Sequence, residues 1–195
     1  MSGEPKRMIV GISGASGAIY GVRMLEQLRA VGVETHLVIS KPAVQTVTHE
    51  CGLSITDLKS LATDVHSNAD IGASIASGSF KTTGMVVAPC SVKSMSEIAT
   101  GLTTTLLARA ADVVLKERRR LVLMLRETPL HLGHVRTMAQ VTEAGAILYP
   151  PVPAFYQKPQ TIDDMVDHTV GRVLDLFDIE TGTVNRWHGL GHPPQ

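Results

Sequence analysis

Residues 8–21, near the amino terminus, contain a glycine-rich turn that is compatible with few folds. The apolar run from Met8 to Ile12 is long enough for one buried strand. Glycines then recur at three-residue spacing, and a helical pattern of apolar residues follows. The glycines are Gly11, Gly14 and Gly17, and the apolar helix positions are Ile19, Val22, Leu25 and Leu28. The pattern predicts a strand, a tight turn and a helix in direct succession.

Such a turn directs backbone N–H groups and the positive end of a helix dipole toward an anion. We interpret it as a phosphate cradle to which Ser13 and Ser16 add hydroxyl donors. The alternative is a tight turn that only lets helix pack on strand. The second predicted strand, 34–39, ends at Ser40 and Lys41, where a dinucleotide fold usually has an acidic residue for the ribose. The spacing G-x-x-G-x-x-G also departs from the dinucleotide pattern, so FMN is favoured over NAD.

The composition limits the classes of protein that this chain can represent. Its 195 residues suit one domain, with a polar tail from about residue 179, and 44% hydrophobic residues argue against disorder. Zero net charge argues against a nucleic-acid or anionic-membrane binder. No apolar signal core or run of about 20 apolar residues occurs, so a cytoplasmic protein without membrane contact is expected.

The two cysteines, Cys51 and Cys90, are too few for a disulfide scaffold. Cys90 lacks the partners of a nucleophile and is interpreted as a small buried thiol. His131 and His134 lack the pattern of a metal site and are interpreted as capping or surface residues, so no metal is predicted. Trp187 is the only large anchor of the tail, which suggests that it docks on a neighbouring chain or the sheet edge.

Strand and helix patterns alternate along the chain and predict a doubly wound parallel α/β sheet. Five strands are expected, at residues 8–12, 34–39, 85–88, 121–125 and 146–149. Residues 52–80 are less regular, with one short helix after Ser54. The sixth and last helices are expected to begin near Thr128-Pro129 and at Thr161. Their apolar stripes would be Leu132, Val135, Met138 and Val141, then Ile162, Val166, Val170, Val173 and Phe177.

Polar residues follow several of these strands, at the edge where ligands bind in open parallel sheets. The segment Pro89–Ser94 is a second strand-to-helix turn rich in small donors. Arg126 and Glu127 directly follow a buried strand and point to the same edge, although a structural ion pair is the alternative. The proline-rich segment 150–159 forms a stiff loop that presents Phe155 and Tyr156, unless these only pack in the core.

Seven motifs occur in the order found in one family and cover residues 7 to about 187. They are Gly11–Gly21, Ser40-Lys41, Ser77–Phe80, Pro89–Lys93, Arg109–Arg118, Arg126–Leu130 and Pro150–Tyr156. Together they resemble the flavin prenyltransferases of the UbiX type. The resemblance implies a flavodoxin-like (Rossmann-like) three-layer sandwich, a dodecameric assembly and no metal requirement.

The resemblance also implies an activity. A transferase of this family joins dimethylallyl phosphate to reduced FMN, with bonds at N5 and C6, and hands prenylated FMN to a UbiD-type decarboxylase in ubiquinone biosynthesis or aromatic-acid metabolism. The residues implied to bind FMN are Gly14, Ala15, Ser16, Ser40, Ser91, Val92, Lys93, Ser94 and Arg126. Tyr156 and Arg172 are implied to hold dimethylallyl phosphate, with Lys116 and Glu127 beside it.

Four residues are expected to take part in catalysis. Lys116 meets the charge of the phosphate, and Glu127 acts as an acid toward the leaving group. Glu50 and Ser16 tune the edge of the flavin. Arg172 lies off the apolar stripe of the last helix, so it is expected to reach a site at the sheet edge only with the participation of a neighbouring subunit. Thr105 and Arg120 depart from common residues of the family, but neither is expected at the site.

Two other functions remain open on the sequence. The first is an FMN-dependent cysteine decarboxylase, such as one acting on phosphopantothenoylcysteine. The second is a non-catalytic flavin carrier subunit, which needs FMN binding but not Lys116, Glu127 and Arg172 together.

Overall fold

The computed structural model describes residues 6–184, Arg186 and Gly189, so the expected docking of Trp187 lies outside the described residues. The strands are β1 (Arg7–Ile12), β2 (Glu34–Ile39), β3 (Asp64–His66), β4 (Gly84–Cys90), β5 (Arg120–Leu125) and β6 (Ile147–Leu148). The helices are α1 (Ala18–Ala30), α2 (Lys41–Cys51), α3 (Ile55–Ser60), α4 (Val92–Thr100), α5 (Leu106–Lys116), α6 (Leu132–Glu143) and α7 (Ile162–Asp175). Short 3-10 turns cover Ser74–Ala76 and Phe155–Gln157.

The strands form one parallel sheet in the order β3-β2-β1-β4-β5-β6. Without the edge strand β3, this is the flavodoxin-like order, and the direction of winding reverses between β1 and β4. The predicted parallel α/β sheet is confirmed. The expected count of five strands is wrong, because the sheet has a sixth strand, β3. This strand has only three residues, two of them exposed, so it carries no apolar run that the sequence pattern could show.

Alternation along the strands divides the core into two layers, one on each face of the sheet. Met8, Val10 and Ile12 pack with α1, α2, α3 and α7, whereas Ile9 packs with α4, α5 and α6. This arrangement confirms the three-layer sandwich. Among the described residues, the structure contains no helix with the length and apolar character that crossing a membrane requires.

Two helix starts differ from the expected patterns. Helix α6 begins at Leu132 under a cap from His131, not at Thr128-Pro129, which confirms a capping role for that histidine. Leu132 and Val135 are exposed by 61% and 48%, because α6 lies over the two-residue edge strand β6 and has little sheet beneath its first turns. In α7 the expected start at Thr161 is confirmed, and Thr161 forms a capping box with Asp164, but Ile162 is 77% exposed.

Candidate functional site

A cavity of about 780 Å³ lies at the carboxyl ends of β1, β2, β4 and β5. This is the edge at which open α/β sheets bind ligands, and the volume lies in the range of small-molecule sites. The nine residues expected to bind FMN all line it, and so does Glu127; they are Gly14, Ala15, Ser16, Ser40, Ser91, Val92, Lys93, Ser94 and Arg126. Residues from four loops far apart in the chain therefore share one cavity.

Three helices begin at the wall of this cavity, each with a side-chain cap. Ser40 caps α2 by accepting the N–H of Ala43 at 3.4 Å. Ser91 caps α4 by accepting the N–H of Ser94 at 3.2 Å. Thr105 caps α5 and lines the cavity, so the expectation that it lies away from the site is wrong. Helix amino termini attract anions, which gives the cavity a preference for negatively charged groups.

The amino terminus of α1 is already occupied by a carboxylate. Glu50 Oε2 accepts the N–H of Gly17 at 2.8 Å and of Ala18 at 2.9 Å. Ser13 is fully buried, where its hydroxyl donates to the carbonyl of Pro89 at 2.8 Å and accepts the N–H of Ser91 at 2.7 Å. The predicted Ser13 donor is therefore wrong, because its hydroxyl joins two of the protein's own loops, and Glu50 takes the N–H groups of Gly17 and Ala18. The predicted part of Ser16 in a phosphate cradle is not tested by these contacts.

The alternative role, close packing of helix on strand, is visible at Gly21. A Cβ atom there would lie 2.3 Å from the carbonyl oxygen of Ala88 in β4. Atoms that close overlap, so only glycine fits without a shift of the backbone. The glycine-rich stretch thus brings α1 against the sheet while Gly14, Ala15 and Ser16 face the cavity.

Glu50 is not among the lining residues but acts on them through its contacts. Burial raises the pKa of Glu50, but the N–H groups of Ala18 and Gly17, the Ser16 hydroxyl and the charge of Arg126 together lower it below its ordinary value. Arg126 Nε donates to the carbonyl oxygen of Ser16 at 3.2 Å. The carboxylate is therefore ionised at neutral pH and orders the loop that carries Ser16.

Three expected substrate residues do not line the cavity of their own chain. Lys116 is the last residue of α5 and pairs with Glu117. Because Leu107 lines the cavity near the start of the same helix, Lys116 lies about 14 Å along the axis from it. Arg172 pairs with Asp175 on α7. Within one chain Lys116 and Arg172 therefore do not line the cavity with Glu127, and the convergence of all three stays a prediction about the assembly.

Tyr156 and Arg172 nevertheless share one neighbourhood, around Tyr149 after β6. Burial raises the pKa of Tyr149, Arg172 lowers it, and Tyr156 and Asp175 raise it further, with a net upward shift. The ring of Tyr156 also meets that of His168 edge-on, with centroids 6.1 Å apart. Two of the predicted ligands for dimethylallyl phosphate therefore lie together, apart from the cavity.

Lys41, which the sequence pattern placed with Ser40 at the end of β2, also lines the cavity. Sequence reasoning missed five other residues of the cavity wall: Pro42, Asn68, Glu97, Leu107 and Thr128. Thr128 directly follows Glu127, so its position could have been predicted from the sequence. Asn68 comes from the irregular segment and carries no signal. Its side-chain oxygen accepts the N–H of Leu107 at 3.0 Å, which holds the loop after β3 against the start of α5.

Cys90 ends β4 beneath the cavity, where it is fully buried. Burial raises its pKa to about 12, although the N–H of Met95 acts in the opposite direction. A thiol with that pKa is protonated at neutral pH and is a poor nucleophile. The interpretation of Cys90 as a buried structural thiol is confirmed.

Comparison with known proteins gives closely similar sequences and structures. The Flavoprotein family model matches residues 2–185. A flavin prenyltransferase UbiX of Thauera aromatica is 60% identical over 183 residues, which cover 94% of each chain. A structure of AnUbiX in complex with FMN and dimethylallyl pyrophosphate is 49% identical, with a TM-score of 0.94 and coverage of 95% of this chain and 99% of that one.

A second solved structure bears on assembly. A dodecameric FMN-dependent UbiX-like decarboxylase from Escherichia coli O157:H7 is 48% identical, with a TM-score of 0.91 and coverage of 94% of this chain and 100% of that one. By contrast, a PPC decarboxylase structure is 20% identical, with a TM-score of 0.62 over 77% of this chain and 84% of that one, and shares the fold alone.

Proposed function

The chain belongs to the flavin prenyltransferase UbiX family, and on that premise we propose that it joins dimethylallyl phosphate to reduced FMN. The observation that carries the proposal is the shared cavity, in which nine expected FMN ligands stand beside Glu127. Capped amino termini of α2, α4 and α5 at its wall suit the phosphate of a mononucleotide. The product, prenylated FMN, passes to a UbiD-type decarboxylase.

The reaction breaks the C–O bond of dimethylallyl phosphate, and the electron pair leaves on the phosphate. N5 of reduced FMN loses a proton and bonds to the allyl carbon. The alkene gains a proton, and C6 of the flavin loses one as the second bond closes the new ring. The released phosphate carries away the one net proton.

The chain's own groups supply charge and protons to this reaction. Cations stabilise the phosphate as negative charge grows on it. Glu127 shares a proton with the phosphate and protonates the leaving oxygen, and the bound phosphate then takes the C6 proton. Ser16, held by Arg126 and Glu50, positions the edge of the flavin.

Assembly completes the site in this proposal. Tyr156 lies on a surface turn and is 54% exposed, and Lys116 and Arg172 are not among the residues that line the cavity of their own chain. We infer that these three residues reach the cavity of a neighbouring subunit, in a dodecamer like that of the E. coli O157:H7 relative. Each subunit is a single domain.

The proposal is tested by mixing the protein anaerobically with reduced FMN and dimethylallyl phosphate and weighing the flavin. A flavin that gains one dimethylallyl unit supports transfer. An unchanged flavin favours a carrier, and oxidative decarboxylation of a cysteinyl substrate favours the cysteine decarboxylase.

A Glu127→Gln variant tests the proton-transfer role. We expect turnover to fall by about 10²-fold or more while FMN binding is kept, because general acid catalysis contributes a factor of this size. Glu143→Gln, at an exposed position on α6, is the matched control. Equal loss of turnover and FMN binding in Glu127→Gln would contradict the role.

Hybrid assemblies test whether the site is shared between subunits. Lys116→Ala and Glu127→Gln chains, each nearly inactive alone, are unfolded, mixed in equal amounts and reassembled. If a site takes Glu127 from one chain and Lys116 from its neighbour, about one quarter of the mixed sites contain both intact residues and activity returns. Activity that stays at the level of the separate variants would place Lys116 and Glu127 in the same subunit's site and contradict the shared site.

We also propose a cytoplasmic location. Cys51 and Cys90 are both free thiols, which is the usual state in a reducing compartment. Fractionation of cells that produce the protein, followed by immunodetection, tests this location, and recovery in an extracytoplasmic fraction would contradict it.

A further inference from the structure

A cluster of two histidines and one aspartate lies at the β3 edge of the sheet. His36 is in β2, and Asp64 and His66 are in β3. The parallel register pairs His36 with Asp64, and His66 follows Asp64 by two residues on the same face of the strand. His36 is buried, His66 is half-buried and Asp64 is exposed, so the cluster is rooted in the core and open on one side.

The spacing of the ligand atoms suits one small metal ion. His36 Nδ1 lies 3.1 Å from His66 Nε2 and 3.9 Å from Asp64 Oδ2, and the three ligand atoms lie within 4.8 Å of one another. Two nitrogens on a tetrahedral zinc, each about 2.05 Å from the metal, are about 3.3 Å apart. The histidine pair already has nearly this spacing. Asp64, with its side chain 63% exposed, is free to close the remaining gap.

A carboxylate behind His36 orients its ring for metal binding. Glu34 Oε1 lies 3.1 Å from His36 Nε2, and Arg7 Nε donates to both carboxylate oxygens of Glu34 at 3.0 Å. Since a carboxylate accepts, Nε2 carries the proton in a neutral ring, and the lone pair of Nδ1 faces His66 and Asp64. A carboxylate that fixes the tautomer of a histidine is the usual outer partner of a zinc ligand.

We propose that His36, His66 and Asp64 bind one zinc ion per chain, with water as the fourth ligand. The ion joins β3, an edge strand of three residues, to β2. The chain continues from His66 to Asn68, which lines the cavity and accepts the N–H of Leu107 in the first turn of α5. The metal therefore has a structural role, stabilising one wall of the cavity, and takes no part in the transfer proposed above.

Titration of the metal-free full-length protein with Zn²⁺ at pH 7.5, by calorimetry and by thermal unfolding, tests the site. We expect one equivalent per chain and a rise in Tm with Zn²⁺ but not with Mg²⁺, because imidazole ligands favour zinc over magnesium. Co²⁺ as a probe should give the visible absorption of a tetrahedral site. His66→Ala should weaken Zn²⁺ binding by about 100-fold or more, and Glu34→Gln by about 10–100-fold.

Two controls separate this site from other outcomes. His134→Ala removes a histidine from a second close pair, whose rings are stacked 3.6 Å apart, and should leave the affinity unchanged. Asp64→Asn alters only an exposed side chain, so the fold is kept while zinc binding weakens. Equal Zn²⁺ affinity in the wild type, His66→Ala and Asp64→Asn, or no stoichiometric binding, would overturn the proposal and leave a hydrogen-bonded histidine pair.

Discussion

Glu50 is the residue at which the structure makes its sharpest quantitative prediction. Its carboxylate accepts two backbone N–H groups at the start of α1, at 2.8 and 2.9 Å. A buried hydrogen bond to a charged group contributes about 1.5–3 kcal/mol, but Glu50 is exposed, so solvent screening reduces this value. The helix dipole adds about 0.3–1 kcal/mol.

The two informative substitutions separate charge from hydrogen bonding. Glu50→Gln keeps an acceptor oxygen and loses the charge, which should cost about 1 kcal/mol in the free energy of unfolding. Glu50→Ala also removes the acceptor and should cost about 2 kcal/mol. For a chain of this size, 1 kcal/mol corresponds to about 2–4 °C in Tm. Urea unfolding at pH 7 and fixed protein concentration measures both differences.

The pH dependence provides the stricter test. Because the pKa of Glu50 is lowered in the native state from 4.5, its contribution is complete above pH 4.5 and is lost as the pH falls through the native pKa. The gap between the wild type and Glu50→Gln should therefore close below pH 4.5. A Glu50→Gln variant as stable as the wild type at pH 7, or a gap that persists unchanged in acid, would refute the assignment of the carboxylate to the helix terminus.

Two further predictions concern packing around β4. Gly21→Ala should lower the free energy of unfolding by about 1–3 kcal/mol, because the added Cβ would lie 2.3 Å from the Ala88 carbonyl oxygen and 2.8 Å from the Ile12 side chain; unchanged urea unfolding would show that α1 can shift freely. Cys90 should resist alkylation by iodoacetamide at pH 8 until the protein unfolds, whereas half-buried Cys51 should react first. Peptide mass mapping identifies the alkylated cysteine, and rapid alkylation of Cys90 in the native protein would contradict its burial.

The sequence predicted those parts of the fold that depend on local patterns. Apolar runs marked every strand except β3, and the capping residues Ser54 and Thr161 marked helix starts. The strand β3 escaped prediction because a short edge strand buries little side-chain surface and owes its existence to pairing with β2. The exposed Leu132 and Ile162 had helical spacing, but whether a face is covered depends on the neighbouring elements.

The order of residues along the chain shows which of them follow the carboxyl ends of the strands, and a parallel sheet brings these loops to one edge. That is why nine residues named from motifs line the same cavity. The use of each polar group became visible in the folded chain: Glu50 binds the amino terminus of α1, Ser13 joins two loops, and Lys116 lies at the far end of α5. Hydrogen bonds and ion pairs depend on distances of a few ångströms between residues far apart in the chain, and no local pattern encodes these distances.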